Sequence, residues 1–70
     1  MKNIFAILLL GLVDSVESDY VVAEINNPQG NITQVEIPAS LFPCDISEGD
    51  MFHIVKINGV TEIRCGEPDV

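Results

Sequence analysis

Cys44, Cys65 and His53 are the side chains in this sequence best suited to nucleophilic, redox or metal chemistry, and it holds no other cysteine or histidine. Zinc takes four ligands in a structural site, so two cysteines and one histidine fall short, and metal binding through them is not expected. The two thiols could instead form one bridge. Closing a loop of about twenty residues would stabilise a small fold by about 3 kcal/mol, given an oxidising compartment. Without a convincing export signal, the sequence favours two reduced, buried thiols. His53 could act as a general acid or base, but such a group needs a nucleophile or partner within reach, and none is near it in sequence. It reads as an ordinary strand residue.

The oxygen ligands are equally sparse. Asp45, Glu48 and Asp50 make an acidic loop of the kind that holds calcium, yet the ligand spacing and length of an EF-hand are missing, so a solvated turn is expected. Asn31-Ile32-Thr33 matches the N-glycosylation triplet, which matters only in a eukaryotic secretory pathway. Tyr20, Phe42 and Phe52 are too few and too mixed with carboxylates for a base-stacking platform, which also needs a basic groove. No residue is assigned as catalytic, cofactor-binding or metal-binding.

Composition narrows the partners. Eleven acidic residues against Lys2, Lys56 and Arg64 give a formal charge of −8, a field that repels nucleic-acid phosphate and anionic lipid. Acidity of this kind also serves solubility. At 47% apolar and 20% charged residues the chain is globular rather than disordered. Seventy residues leave room for one core, and a chain this short buries only about 60% of its unfolded surface. Stability should be marginal without a staple, a partner or a very regular sheet.

The elements that must position these side chains are strands. Residues 20–26 alternate, with Val21, Ala23 and Ile25 on one face and Tyr20, Val22 and Glu24 on the other; the first set is expected in the core, since Glu24 would otherwise be buried. Glu17-Ser18-Asp19 is a tight connection to a preceding strand. Asn26-Asn27-Pro28-Gln29-Gly30 is a turn by composition. Residues 31–37 follow with Thr33, Val35 and Ile37 inward and Gln34 and Glu36 outward, until Pro38, which lacks the ladder donor, ends the strand. Residues 38–43 read as one helical turn with Leu41 and Phe42 plugging the end of the fold.

After the Ser47-Glu48-Gly49-Asp50 turn comes a strand over 51–57. Phe52 and Ile54 share one face with Lys56, while Met51, Val55 and Ile57 share the other with His53, so both faces are expected to be partly covered. Asn58-Gly59 predicts a type I′ hairpin turn. The strand over 60–65 should then return with Thr61, Ile63 and Cys65 inward and Glu62 and Arg64 outward. Residues 66–70 form a polar tail expected to fray.

Two readings of the apolar run over residues 4–13 compete, a signal peptide and a first strand, and a third is set aside on length. As a signal peptide it has the Lys2 charge and an apolar stretch, but no small-x-small cleavage site follows; the better positions, after Gly11 or Ser15, are poor. As a transmembrane helix it is too short, since a bilayer core needs about 20 apolar residues. As a first strand it would be buried on both faces, with Gly11 marking a bend or bulge.

Val13-Asp14-Ser15-Val16-Glu17-Ser18-Asp19-Tyr20-Val21-Val22, then Val35-Glu36-Ile37-Pro38 and Glu48-Gly49-Asp50, together resemble short bacterial and phage proteins of the domain of unknown function family three thousand and six. The likeness spans residues 12–64. It rests on an Asp-containing first strand, a Glu-Gly-Asp-Tyr-type hairpin, an Ile-Pro step and a Glu-Gly-Asp turn. It implies a compact β-barrel and no assigned activity. Ser18 stands where the pattern favours glycine, and serine takes positive φ at a cost that glycine escapes.

The expected protein is therefore all-β: a small five-stranded antiparallel barrel, SH3-like or OB-like, with one short helical turn, spanning 1–66 with a tail over 67–70. Its expected function is that of a non-enzymatic accessory or protein-interaction module without cofactor, acting on a protein partner rather than nucleic acid or membrane. The cytoplasm is favoured. The alternative is an exported, secreted or periplasmic domain, stapled by its two cysteines after loss of an N-terminal segment.

Overall fold

The computed structural model describes residues 5–27 and 29–68. Strands β1 (Phe5–Val16), β2 (Tyr20–Asn26), β3 (Ile32–Pro38), β4 (Met51–Ile57) and β5 (Val60–Cys65) form one antiparallel sheet in the order β3-β2-β1-β4-β5, with one 3₁₀ turn over Ala39–Leu41. The all-β class, the five strands and the helical turn stand where alternation and turn residues predict them. Ile4, Pro28, Asp69 and Val70, which entered those expectations, lie outside the described residues.

The closed barrel is where expectation and structure part. The sheet is open, with β3 and β5 as its edges and β1 at its centre. The two edge strands do not pair with each other, and β1 is shared unequally between its neighbours. It pairs with β2 from Leu10 to Val16 and with β4 from Phe5 to Leu12, so the two flanking hairpins overlap along residues 10–12 only. Each hairpin follows its own half of the long strand. Irregularities between Ile7 and Leu9 on the β4 side, and between Val13 and Ser15 on the β2 side, bend β1 further.

Gly11 is not the bulge. It pairs in register with Ile25 on one side and Phe52 on the other, and a Cβ built there would run into the Phe52 ring. The glycine is a flat spot at the middle of the central strand over which an aromatic ring lies. Two-sided burial is also corrected over residues 9–13 of the apolar run. Leu9 packs on the core and Val13 is buried in it, whereas Leu10 and Leu12 stay 37% and 42% exposed on the opposite face.

The core occupies one face of the sheet. Val21, Ala23 and Ile25 are buried there as the β2 alternation predicts, joined by Val13, Phe42 and Phe52, with Val35, Ile37, Ile54 and Ile63 packed against them. Thr33, also expected inward, is exposed near the outer end of β3. On β4 both faces are covered: Phe52 is buried on the core side, Val55 and His53 on the other.

Backbone bonds seal the ends. Val13 N–H donates to Asp50 O and Gly49 N–H to Val13 O, each at 2.9 Å, tying the Glu-Gly-Asp turn to β1. Gly66 is anchored rather than frayed, since its N–H donates to Met51 O at 2.7 Å, and Pro68 is half-buried. The Glu17 to Tyr20 turn closes with Ser18 at negative φ, because Asn58 (φ 51°) is the one non-glycine residue of positive φ among those described. Asn58 with Gly59 (φ 85°) makes the β4–β5 turn, as the dipeptide predicts. Gly59→Val should cost about 1–2 kcal/mol, since an L side chain resists this region and a β-branched one most. A lowered thermal midpoint is the expected readout, and an unchanged one would refute the turn assignment.

Candidate functional site

The site begins with the strap of residues 39–50 that leaves β3 and crosses to β4. Pro38 closes β3, Ala39 N–H donates to Asp19 O at 3.0 Å, and the short 3₁₀ turn then sets Phe42 facing the sheet. Phe42 meets Phe52 edge-on, with ring centroids 5.1 Å apart and planes at 85°. Two residues on, Cys44 is bridged to Cys65 at the end of β5, with Cα atoms 6.6 Å apart. This corrects the expectation of two free, buried thiols. Spacing along the chain carries no information about separation in space, and the strap carries Cys44 across to β5. Cys65 is itself opposite Phe52, so bridge and aromatic pair form one knot.

Beside this knot lies a hollow of about 660 Å³, lined mainly by Ile37 of β3, Leu41, Phe42 and Pro43 of the strap, Ile54 of β4 and Ile63 of β5, with Ser40, Thr61 and Glu62 as its polar part. Both edge strands contribute, so the sheet curls towards closure without reaching it. Leu41, at the rim, is 58% exposed although it was expected to plug the fold. Phe42, the aromatic member of that pair, does the plugging.

His53 is only 5% exposed, and its Nδ1–H donates to Gly66 O at 2.9 Å. The imidazole is a buried clasp for the chain leaving β5. Asp50 caps its own turn: its carboxylate accepts the Ser47 N–H at 2.9 Å, and its N–H donates to Ser47 O at 3.0 Å. Asp45, Glu48 and Asp50 are all exposed, and among the described residues no three His, Cys, Asp or Glu side chains gather as a metal site would require. Asn31 sits exposed in the β2–β3 turn, where Asn27 Oδ1 accepts the N–H groups of Gln29 and Asn31, each at 3.0 Å. Tyr20 is exposed, while Phe42 and Phe52 are core.

The carboxylates are not evenly spread over the sheet. Glu24 and Glu36 share the outer face of β2 and β3, and Gln34 between them donates from Nε2 to Asp14 Oδ2 at 3.5 Å. On β5, by contrast, Glu62 lies 3.8 Å from Arg64 in an exposed ion pair. The apolar rim and the open β3 edge escaped the sequence reading, although Pro38 was a usable signal, because proline in a sheet belongs on an edge.

No family model, no curated protein and no solved structure matches this chain. Among the described residues no helix is long and apolar enough to cross a membrane.

Proposed function

We propose that the protein is a non-enzymatic interaction module that presents an acidic, partly apolar surface to another protein. The observation that carries this reading is the mainly apolar hollow between the two sheet edges, open at Leu41 and bordered by Glu62, in a chain of formal charge −8. Apolar side chains exposed beside a polar rim are the usual make-up of a protein-binding surface. Kinship with the domain of unknown function family three thousand and six belongs to the same proposal and is supported by the motif residues alone.

The exported alternative draws support from the Cys44–Cys65 bridge, because cytosolic thiol buffers keep such pairs reduced. The cytoplasmic reading rested on the lack of a convincing export signal, and the bridge weighs against the reduced thiols it implied. Loss of an N-terminal segment is opposed by the place of β1, whose removal up to Gly11 or Ser15 would take out the strand that joins the two hairpins. The reading that fits both is an oxidised domain that retains β1.

Cross-linking of the full chain in its native host, followed by the same experiment with Leu41→Asp, tests the proposal. One partner captured by the wild type and lost in the exposed-site variant is the expected result. Equal capture by both would remove the hollow from the interaction, and hydrolase activity with no capture would overturn the reading.

A further inference from the structure

We infer that the free edge of β3 accepts an extended segment of a partner protein as a sixth strand, with apolar residues at alternate positions and lysine or arginine between them. The inference rests on the interaction reading above and assigns its surface and partner class.

The hydrogen-bond parity of β3 is set by its two ends. Asn27 N–H donates to Asn31 O and Ala39 N–H to Asp19 O, both at 3.0 Å, so the pairs 27/31 and 19/39 face each other with bonded backbone groups. Antiparallel ladders alternate. Thr33, Val35 and Ile37 therefore turn their N–H and C=O groups towards β2, while Ile32, Gln34 and Glu36 turn theirs outward. Pro38 has only a carbonyl to offer and ends the open edge. Three residues with both backbone groups unpaired, in a row of seven, are a template for strand addition.

The two faces of this edge differ, which sets the chemistry of what can be added. A strand laid against β3 projects alternate side chains to opposite faces. On the core side they pass Val35 and Ile37 and reach the hollow lined by Leu41, Phe42, Ile54 and Ile63. On the other side they lie beside Gln34 and Glu36, with Glu24 and Asp14 in the next columns. No lysine or arginine lies on β2 or β3. The β5 edge carries Arg64 next to Glu62 and is bridged at Cys65, so a cationic strand is better matched at β3. A second copy of this chain would bring another charge of −8 against the first and is disfavoured as the occupant.

The test is an NMR titration of the isotope-labelled full chain, at low salt, with an end-capped heptapeptide alternating lysine and valine. Amides of Ile32, Gln34 and Glu36 should shift and exchange more slowly with solvent, and glutamate in place of lysine in the peptide should abolish the response. Gln34→Pro removes an outward N–H without touching the β2 ladder. It should fold by circular dichroism yet weaken binding about fivefold, the worth of one backbone hydrogen bond. Glu36→Lys should weaken it further and flatten its salt dependence. No response, a response centred on Glu48 and Asp50 or on Leu10 and Met51, or equal binding by Gln34→Pro would each overturn the inference. Protection of the same amides by rising protein concentration alone would make the occupant a second copy and overturn it too. If the β3 edge is silent while cross-linking sensitive to Leu41→Asp persists, strand addition fails and the interaction reading stands; if that cross-linking is also lost, both fail.

Discussion

Phe52→Ala is expected to leave the purified chain largely unfolded, with a collapsed near-ultraviolet signal and no cooperative thermal transition. Phe52 is fully buried at the centre of the core, lies over Gly11 of the central strand and forms a T-shaped pair with the Phe42 ring. Emptying such a site costs about 3–5 kcal/mol, and the lost aromatic contact adds to the damage at about 0.5–1.5 kcal/mol. A domain of 70 residues has little more than that to spare. A cooperative transition within a few degrees of the wild type would show that the core is centred elsewhere. The Gly11 contact allows a sharper check. Gly11→Ala should destabilise through collision with the ring, and Phe52→Leu, which shortens it, should recover part of that loss. Such coupling is the signature of direct contact, and strict additivity of the two changes would refute it.

Breaking the Cys44–Cys65 bridge is the second large effect. The bridge spans 21 positions, and releasing that loop should lower stability by about 3 kcal/mol. Urea unfolding with and without reductant measures this directly, and a double Cys→Ser variant should match the reduced protein. Because Cys65 is paired with Phe52 and Cys44 is two residues from Phe42, loss of the bridge should also loosen the aromatic pair. Amides 40–45 should exchange faster in the reduced protein while β1 and β2, held by their own ladder, change less. Identical urea midpoints in the two redox states would mean that the strap is held by Phe42 and Ile46 alone.

The sequence by itself determined the strands and their inward faces wherever one face is buried, because side-chain alternation is local. Val21, Ala23 and Ile25 of β2 and Ile63 of β5 could be read from their neighbours alone, since a shift of one residue would have buried Glu24 or Glu62. The turns were legible for a similar reason: Asn58-Gly59 and Pro38 act through their own φ and their own missing or free groups. Only the tertiary structure decided what depends on residues far apart in the chain. The pairing of β1 with β4 brings Gly11 opposite Phe52 and gives the glycine its role. The strap carries Cys44 to Cys65, which their spacing alone could not foretell. The sheet stays open because β3 and β5 do not pair, which exposes the β3 edge and the hollow beside it, and that outcome belongs to ladders between strands far apart in the chain.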